Sequence, residues 1–347
     1  MPQLPIPPHF DPATVGEIWR VDYGRRAEDA ESWAKQHTIG PAAADGMRLC
    51  LLIVDCQNTF CIPGHELFVG GRSGTGAVED NVRLCEFIYR NLDMLTEIAP
   101  TLDTHSALQI FHPVFWVDEA GRHPRGAETV ITVEDVEQGK WRVNPAVAAS
   151  VVAGDEEYLR TYARHYVREL AKGRLPLMVW PYHAMLGSIG HALVAAVEEA
   201  LFFHSIARRI PTRFEIKGDN PLTENYSALC PEVTHGPDGA VVARKNERFI
   251  QQLLDFDAVI VAGQAKSHCV AWTVHDLLAG IQAKDRSLAA RVYLLEDCSS
   301  AVVVPGVVDF TEQADEAFNG FADAGMHVVR TDVPVAQWPG LEGIDRA

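Results

Sequence analysis

The sequence predicts an α/β fold: a doubly wound, mostly parallel sheet with an N-terminal arm and a helical insertion. Three observations predict it. Apolar runs such as 49–55 (LCLLIVD) and 258–262 (AVIVA) have the unbroken hydrophobicity of strands buried on both faces. Strand-like and helix-like segments alternate through the chain, which calls for parallel strands joined by crossovers. The apolar runs also end on polar and ionisable residues, and an open sheet of this kind holds its ligands beyond the carboxyl ends of its strands.

In chain order, residues 1–46 read as an arm: Pro2, Pro5, Pro7, Pro8 and Pro12 keep its start extended, and 27–36 fits a short surface helix. The arm can pack over its own body or exchange between subunits. The first strand spans 49–55, a loop rich in Gly and Pro runs to about 76, and a helix is expected over 78–95. A second strand covers 98–102. Residues 113–174 show little strand character, although 156–171 has helical spacing. A third strand is expected at 177–180, closed by Pro181, then a helix over 189–206 and a fourth strand at 213–217. The fifth strand, at 258–262, turns at Gly263 into a helix from about 267 with Val270, Val274, Leu277 and Leu278 on one face. Strands at 292–296 and 326–330 flank a last helix near 312–324. One domain over 47–335, with an insertion at about 113–175 and a tail at 336–347, accounts for the pattern. No internal repeat, low-complexity tract or linker interrupts it.

The formal charge of -17 argues against nucleic acid or an anionic membrane surface as a partner. No apolar run approaches the roughly 20 residues of a membrane span, and the proline-rich start lacks the layout of a signal peptide. Seven cysteines, an odd number without a C-x-x-C pair, suit reduced thiols in a cytoplasm better than a disulfide framework.

The chemistry concentrates where strands stop. Cys269 falls in the first turn of the helix after the fifth strand, where free N–H groups and the helix dipole favour a thiolate. A buried structural cysteine is the ordinary alternative. Asp55 ends the first strand and either caps it or faces a ligand; Lys217, before Gly218, is equally a solvated lysine when taken alone. Together they have a purpose. A thiolate beside a cation attacks a carboxamide, and a carboxylate takes the thiol proton and returns it to departing ammonia. Asp103 and His105, as Asp-x-His at a strand end, put two ligands on one side of an extended backbone, and His183 comes from what reads as the neighbouring strand's edge. That donor set suits a divalent ion, Zn²⁺ first, with Fe²⁺ or Mn²⁺ as alternatives. His112 is either a further ligand or a histidine packed beside Pro113.

Taken in order, VDCQNTF, DTH, WPYH, KGDN…NYS and GQAKSHCV resemble the nicotinamidase branch of the isochorismatase-like cysteine hydrolases, across about residues 48–331. The loop IPGHELFVGG after the first strand resembles that family too. The resemblance implies a Rossmann-type three-layer sandwich and a catalytic trio of Asp55, Lys217 and Cys269. It implies an oxyanion hole from the N–H groups of Ala265 and Cys269, with a cis peptide between Gln264 and Ala265. It also implies a metal that binds the ring nitrogen of the substrate, and an aromatic lining of Phe60, Trp180, Tyr226 and His268. The sequence departs from the family's commonest pattern at Thr59 and Ala184, and the 113–175 section and the arm are extra. The expected activity is metal-dependent hydrolysis of a small carboxamide, nicotinamide or a relative, through a thioester; the chain is expected to form a homo-oligomer. A metal-free ureide or carbamoyl hydrolase, or a binding protein that has lost turnover, are the alternatives.

Overall fold

β1 (Leu49–Val54) is buried at every residue, and its alternating side chains feed two cores. Leu49, Leu51 and Ile53 pack with Leu84, Ile88, Ala200 and Phe203, while Cys50, Leu52 and Val54 pack with Val274 and Leu277. Burial on both faces is why the run carries no polar residue before Asp55. In the computed structural model, which describes residues 3–173 and 176–342, five more strands join β1. They are β2 (Leu95–Asp103), β3 (Glu215–Lys217), β4 (Ala258–Gly263), β5 (Val292–Leu295) and β6 (His327–Val329). Every pairing is parallel, in the order β6-β5-β4-β1-β2-β3. The order reverses between β1 and β4, so the ligand crevice of the doubly wound sheet opens between them.

Seven helices of eight residues or more accompany the sheet among the described residues: α1 (Tyr23–Gln36), α2 (Gly76–Arg90), α3 (Glu156–Lys172), α4 (Ala195–Arg208), α5 (Glu247–Leu254), α6 (Ala271–Lys284) and α7 (Thr311–Asp323). Residues of α2, α4 and the arm fill one core; residues of α5, α6 and α7 fill the other. The arm packs over its own chain: Leu4 N–H donates to Arg90 O, Arg26 pairs with Glu199 of α4, and buried Arg208 pairs with Asp45. The insertion has a core of its own, in which Tyr162 and Tyr166 of α3 meet Phe111, Phe115, Trp116 and Leu177. At the far end, Trp338 stacks on Phe87 with ring centroids 5.9 Å apart. Residues 343–347 of the tail, 174–175 of the insertion and 1–2 of the arm lie outside the described residues.

Several expectations need correction. The run at 177–180 forms only the two-residue strand Leu177–Met178, which pairs antiparallel with Val130–Ile131, apart from the main sheet. Pro181 has no N–H to extend a ladder, and the apolar side chains serve the insertion core. α2 stops at Arg90 rather than 95, because the Asn91 side chain caps Phe87 O and Leu95 already belongs to β2. α4 starts at Ala195 rather than 189. α5, whose Asn246 caps Phe249 N–H, went unanticipated.

Candidate active site

Four adjacent strands deliver the candidate residues to one rim. Asp55 follows β1, Asp103 ends β2, Lys217 ends β3, and Cys269 lies in the turn after β4. That turn, Lys266–Val270, is π-helical and precedes α6, so Cys269 stands just ahead of the α-helix rather than in its first turn. The Gln264–Ala265 peptide is cis, as the resemblance implied. Gly263 makes the close approach at the base of the turn possible: its φ is +115°, and a Cβ there would stand 2.1 Å from Val54 O.

Lys217 is the hub. Its buried Nζ lies 3.0 Å from Asp55 Oδ2, 2.9 Å from Asp103 Oδ1 and 3.6 Å from Cys269 Sγ, and donates to Asn225 O at 2.8 Å. Thr101 Oγ1 donates to Asp55 Oδ1 and fixes that carboxyl. Burial works against the Lys217 charge, but Asp103, Asp55 and Cys269 outweigh it and hold the ammonium well above its ordinary value. Burial pushes Asp55 up despite Lys217, with Asp103 adding to the shift. The Cys269 thiol goes up too: burial dominates the opposing pull of Lys217, and Asp55 and Asp103 repel the thiolate. Burial beside two carboxylates thus opposes the thiolate that the helix terminus and Lys217 favour.

Asp103, His105 and His183, all buried, place donor atoms within 4.8 Å of one another. His105 Nδ1–H donates to Gly218 O at 3.0 Å and His183 Nδ1–H to Pro181 O at 2.8 Å, which leaves both Nε2 lone pairs facing Asp103 Oδ2, at 2.8 and 3.6 Å. Electron-rich atoms gathered this way need a cation or a proton among them, so the donor set fits a divalent ion. Burial opposes ionisation of Asp103, yet His105, when a proton occupies its Nε2, and the Lys217 ammonium hold the carboxyl well below the usual range. Burial lowers His183. His112 stands beside this cluster and outside it: its ring centroid is 5.8 Å from that of His105 and 6.0 Å from that of His183. Its Nε2 is buried without a hydrogen-bond partner among the described residues, and burial lowers its pKa to about 3. His183 sits in a loop rather than at a strand edge, locked by His105 N–H donating to Ala184 O and Leu186 N–H to His105 O.

The predicted lining gathers here as well. Phe60 lies edge-on to His183 at 5.8 Å; Trp180, Tyr226 and His268 stand 5.9 to 6.5 Å from one another. Burial drives His268 down to about 4, so this wall is uncharged at neutral pH. Sequence reasoning missed several supports. Gln57 brackets Asp103, accepting from its N–H and donating to its carbonyl, each at 2.8 Å. Gln109 donates to Gly218 O. Phe310 packs edge-on against His268 at 5.0 Å. Glu224 is buried, and its N–H donates to Tyr166 Oη at 3.2 Å.

No protein-family model matches the chain, and no curated protein matches it in sequence. Among solved structures it is similar to nicotinamidases. A nicotinamidase and pyrazinamidase of Acinetobacter baumanii is 15% identical, with 83% of this chain and 98% of that one covered and a TM-score of 0.49. The yeast nicotinamidase is 17% identical, with 81% and 99% covered and a TM-score of 0.49. A zinc-complexed pyrazinamidase of Pyrococcus horikoshii is 16% identical, with 82% and 99% covered and a TM-score of 0.44.

Proposed function

We propose that this chain is an isochorismatase-like cysteine amidohydrolase that cleaves a small heteroaromatic carboxamide, nicotinamide or a relative, to carboxylate and ammonia. One observation carries the reading: a buried ammonium touches Asp55 and reaches the sulfur of Cys269 at the switch point of the sheet. Asp55 is the base. Its raised affinity for protons matches it to a thiol that keeps its own, and it takes the thiol proton as sulfur adds to the amide carbon. Lys217 stabilises the negative charge shared by sulfur and carboxylate. The N–H groups of Ala265 and Cys269 receive the oxyanion. The C–N bond then breaks, Asp55 returns the proton to departing ammonia, and water hydrolyses the thioester to free the acid and the thiol.

Asp103, His105 and His183 would hold a divalent ion, zinc first, which when bound supplies a positive anchor for a ring nitrogen. The neutral aromatic wall suits a flat, uncharged ring. Seven free cysteines fit a reducing cytoplasm. A panel of carboxamides assayed for ammonia release tests the reading: nicotinamide or a close analogue should turn over, and Cys269→Ala should abolish release with the circular dichroism spectrum unchanged. Full turnover by that variant would defeat it. Metal analysis separates the alternative of metal-free carbamoyl hydrolysis.

A further inference from the structure

Ala265, whose N–H is proposed above to receive the oxyanion, stands between two anchored neighbours. Gln264 N–H donates to Val54 O and Lys266 N–H to Ser300 O, each at 2.8 Å, whereas Ala265 N–H has no acceptor among the described residues. Its aim is therefore set from either side. The Gln264 side chain is buried, and its Nε2–H donates at 2.8 Å to Oδ2 of Asp80, a buried carboxylate on α2. Its Oε1 accepts from Ser300 N–H at 3.4 Å. Arg83 Nη2–H donates to the other Asp80 oxygen at 2.8 Å, so the carboxylate is held from two directions. Asp80 stands one turn before Leu84 and two before Ile88 on the buried face of α2, where a carboxylate without partners would be costly. On the other flank Lys266 Nζ donates to Asp315 of α7 at 2.6 Å, but that acid is about half exposed and water competes for the pair. The buried bond to a charged acceptor is the stronger tether.

We propose that Asp80, acting through the Gln264 side chain, is a positioning residue that aims the Ala265 N–H at the oxyanion. A glutamine side chain has several rotamers; an acceptor on its nitrogen and a donor on its oxygen leave one arrangement, and the bond to Val54 fixes the main chain beside it. A donor held in place in this way need not reorient as charge appears on the carbonyl oxygen, which is what makes it effective. α2 becomes part of the catalytic apparatus although it supplies no reacting group.

The proposal rests on the amidase reading for its kinetic arm. With nicotinamide, Gln264→Met, which keeps the length of the side chain and removes both hydrogen-bonding groups, should lower kcat about tenfold with KM within about twofold. That is part of the roughly 10²–10³ that one oxyanion donor is worth. Asp80→Leu should do the same, and Asp80→Asn, which keeps an oxygen acceptor for Gln264, should retain at least about a third of kcat. The double variant Gln264→Met/Asp80→Leu should fall no more than about twofold below either single one, because both break one bond. Losses that multiply to about a hundredfold would show separate roles and overturn the proposal. Hydrogen exchange read by mass spectrometry supplies an arm independent of substrate. Amides of the 263–270 segment should exchange at least about tenfold faster in Gln264→Met and in Asp80→Leu, with α5 and the insertion unchanged. Unchanged exchange in that segment, or a loss of protection spread evenly over the chain, would also overturn it. So would a Gln264→Met variant whose kcat stays within about twofold of the wild type. If the wild type turns over no amide, the amidase reading fails and the exchange arm still decides whether Asp80 holds the loop.

Discussion

Replacing Lys217 with methionine removes the hub of the site while roughly keeping its volume. Asp55 and Asp103 then stay buried without the ammonium that stood 3.0 and 2.9 Å away. Deleting one partner of a buried ion pair costs about 3–5 kcal/mol, and here two carboxylates share the partner, so a value near 5 is expected about pH 8. The pH dependence has a definite sign. In the wild type the Asp103 pKa is depressed, so its contribution to stability is present above the unfolded value of about 3.9 and is lost as pH falls through the folded one. In the variant Asp55, which burial already raises, loses its main opposing charge and moves further above the unfolded value, while Asp103 keeps His105 and loses part of its depression. Asp55 then stabilises at low pH and loses that contribution as pH rises, and Asp103 contributes less at high pH than it does in the wild type. The gap between the two proteins therefore widens from about pH 5 to about pH 8, because proton uptake relieves the variant at the acid end. Urea unfolding followed by circular dichroism, with chelator present, measures it at both pH values. A gap below about 1 kcal/mol at the higher pH, or one that does not change with pH, would refute the placement of Lys217 between two buried carboxylates.

Other expectations follow from the same geometry. Asp103→Ala and His183→Ala should each reduce bound metal from about one ion per chain to a small fraction by elemental analysis, while His112→Ala, outside the donor cluster, should retain it. Gly218→Ala should cost both metal and turnover: φ is +83°, and the new Cβ would lie 2.7 Å from His105 Cε1 and 2.8 Å from Asp103 Oδ1, so intact metal content would contradict it. Because burial raises Asp55, the acid limb of kcat/KM should fall above the ordinary carboxylate range of about 4, and a limb at or below that value would remove Asp55 as the base. Alkylation of Cys269 in the metal-free chain should still be rising beyond about pH 9, read against Cys269→Ala; a plateau near neutrality would show a resting thiolate.

The parts of the molecule legible in the sequence are those whose pattern is set by a local rule. β1 and β4 are buried on both faces, so their residues are uniformly apolar, and their polar successors mark the rim. Asp55, Asp103, Lys217 and Cys269 could be picked out for that reason, and the order of the motifs tied them together. The run at 177–180 obeyed the same rule and misled, because the core it serves is the insertion's own. Composition says that a segment is buried and is silent about which layer buries it. The influences that oppose ionisation of Cys269 were hidden for a related reason: Asp103 stands 166 residues away in sequence, and its repulsion becomes visible only when β2 lies beside β1. Gln57 and Gln109 act through distant backbone, and no spacing in the chain announces such partners.

The reacting groups all stand at the ends of sheet strands or in the turn that follows one, whereas Trp180, Tyr226 and their supports come from loops and from α3. On the proposed reading, bond-breaking and ligand selection would reside in parts of the polypeptide that can diverge separately. Exchanging the loops that carry Trp180 and Tyr226 would reshape the aromatic wall while leaving Lys217 and its neighbours in place. A lineage could explore new ligands through that route without rebuilding the strand-end rim.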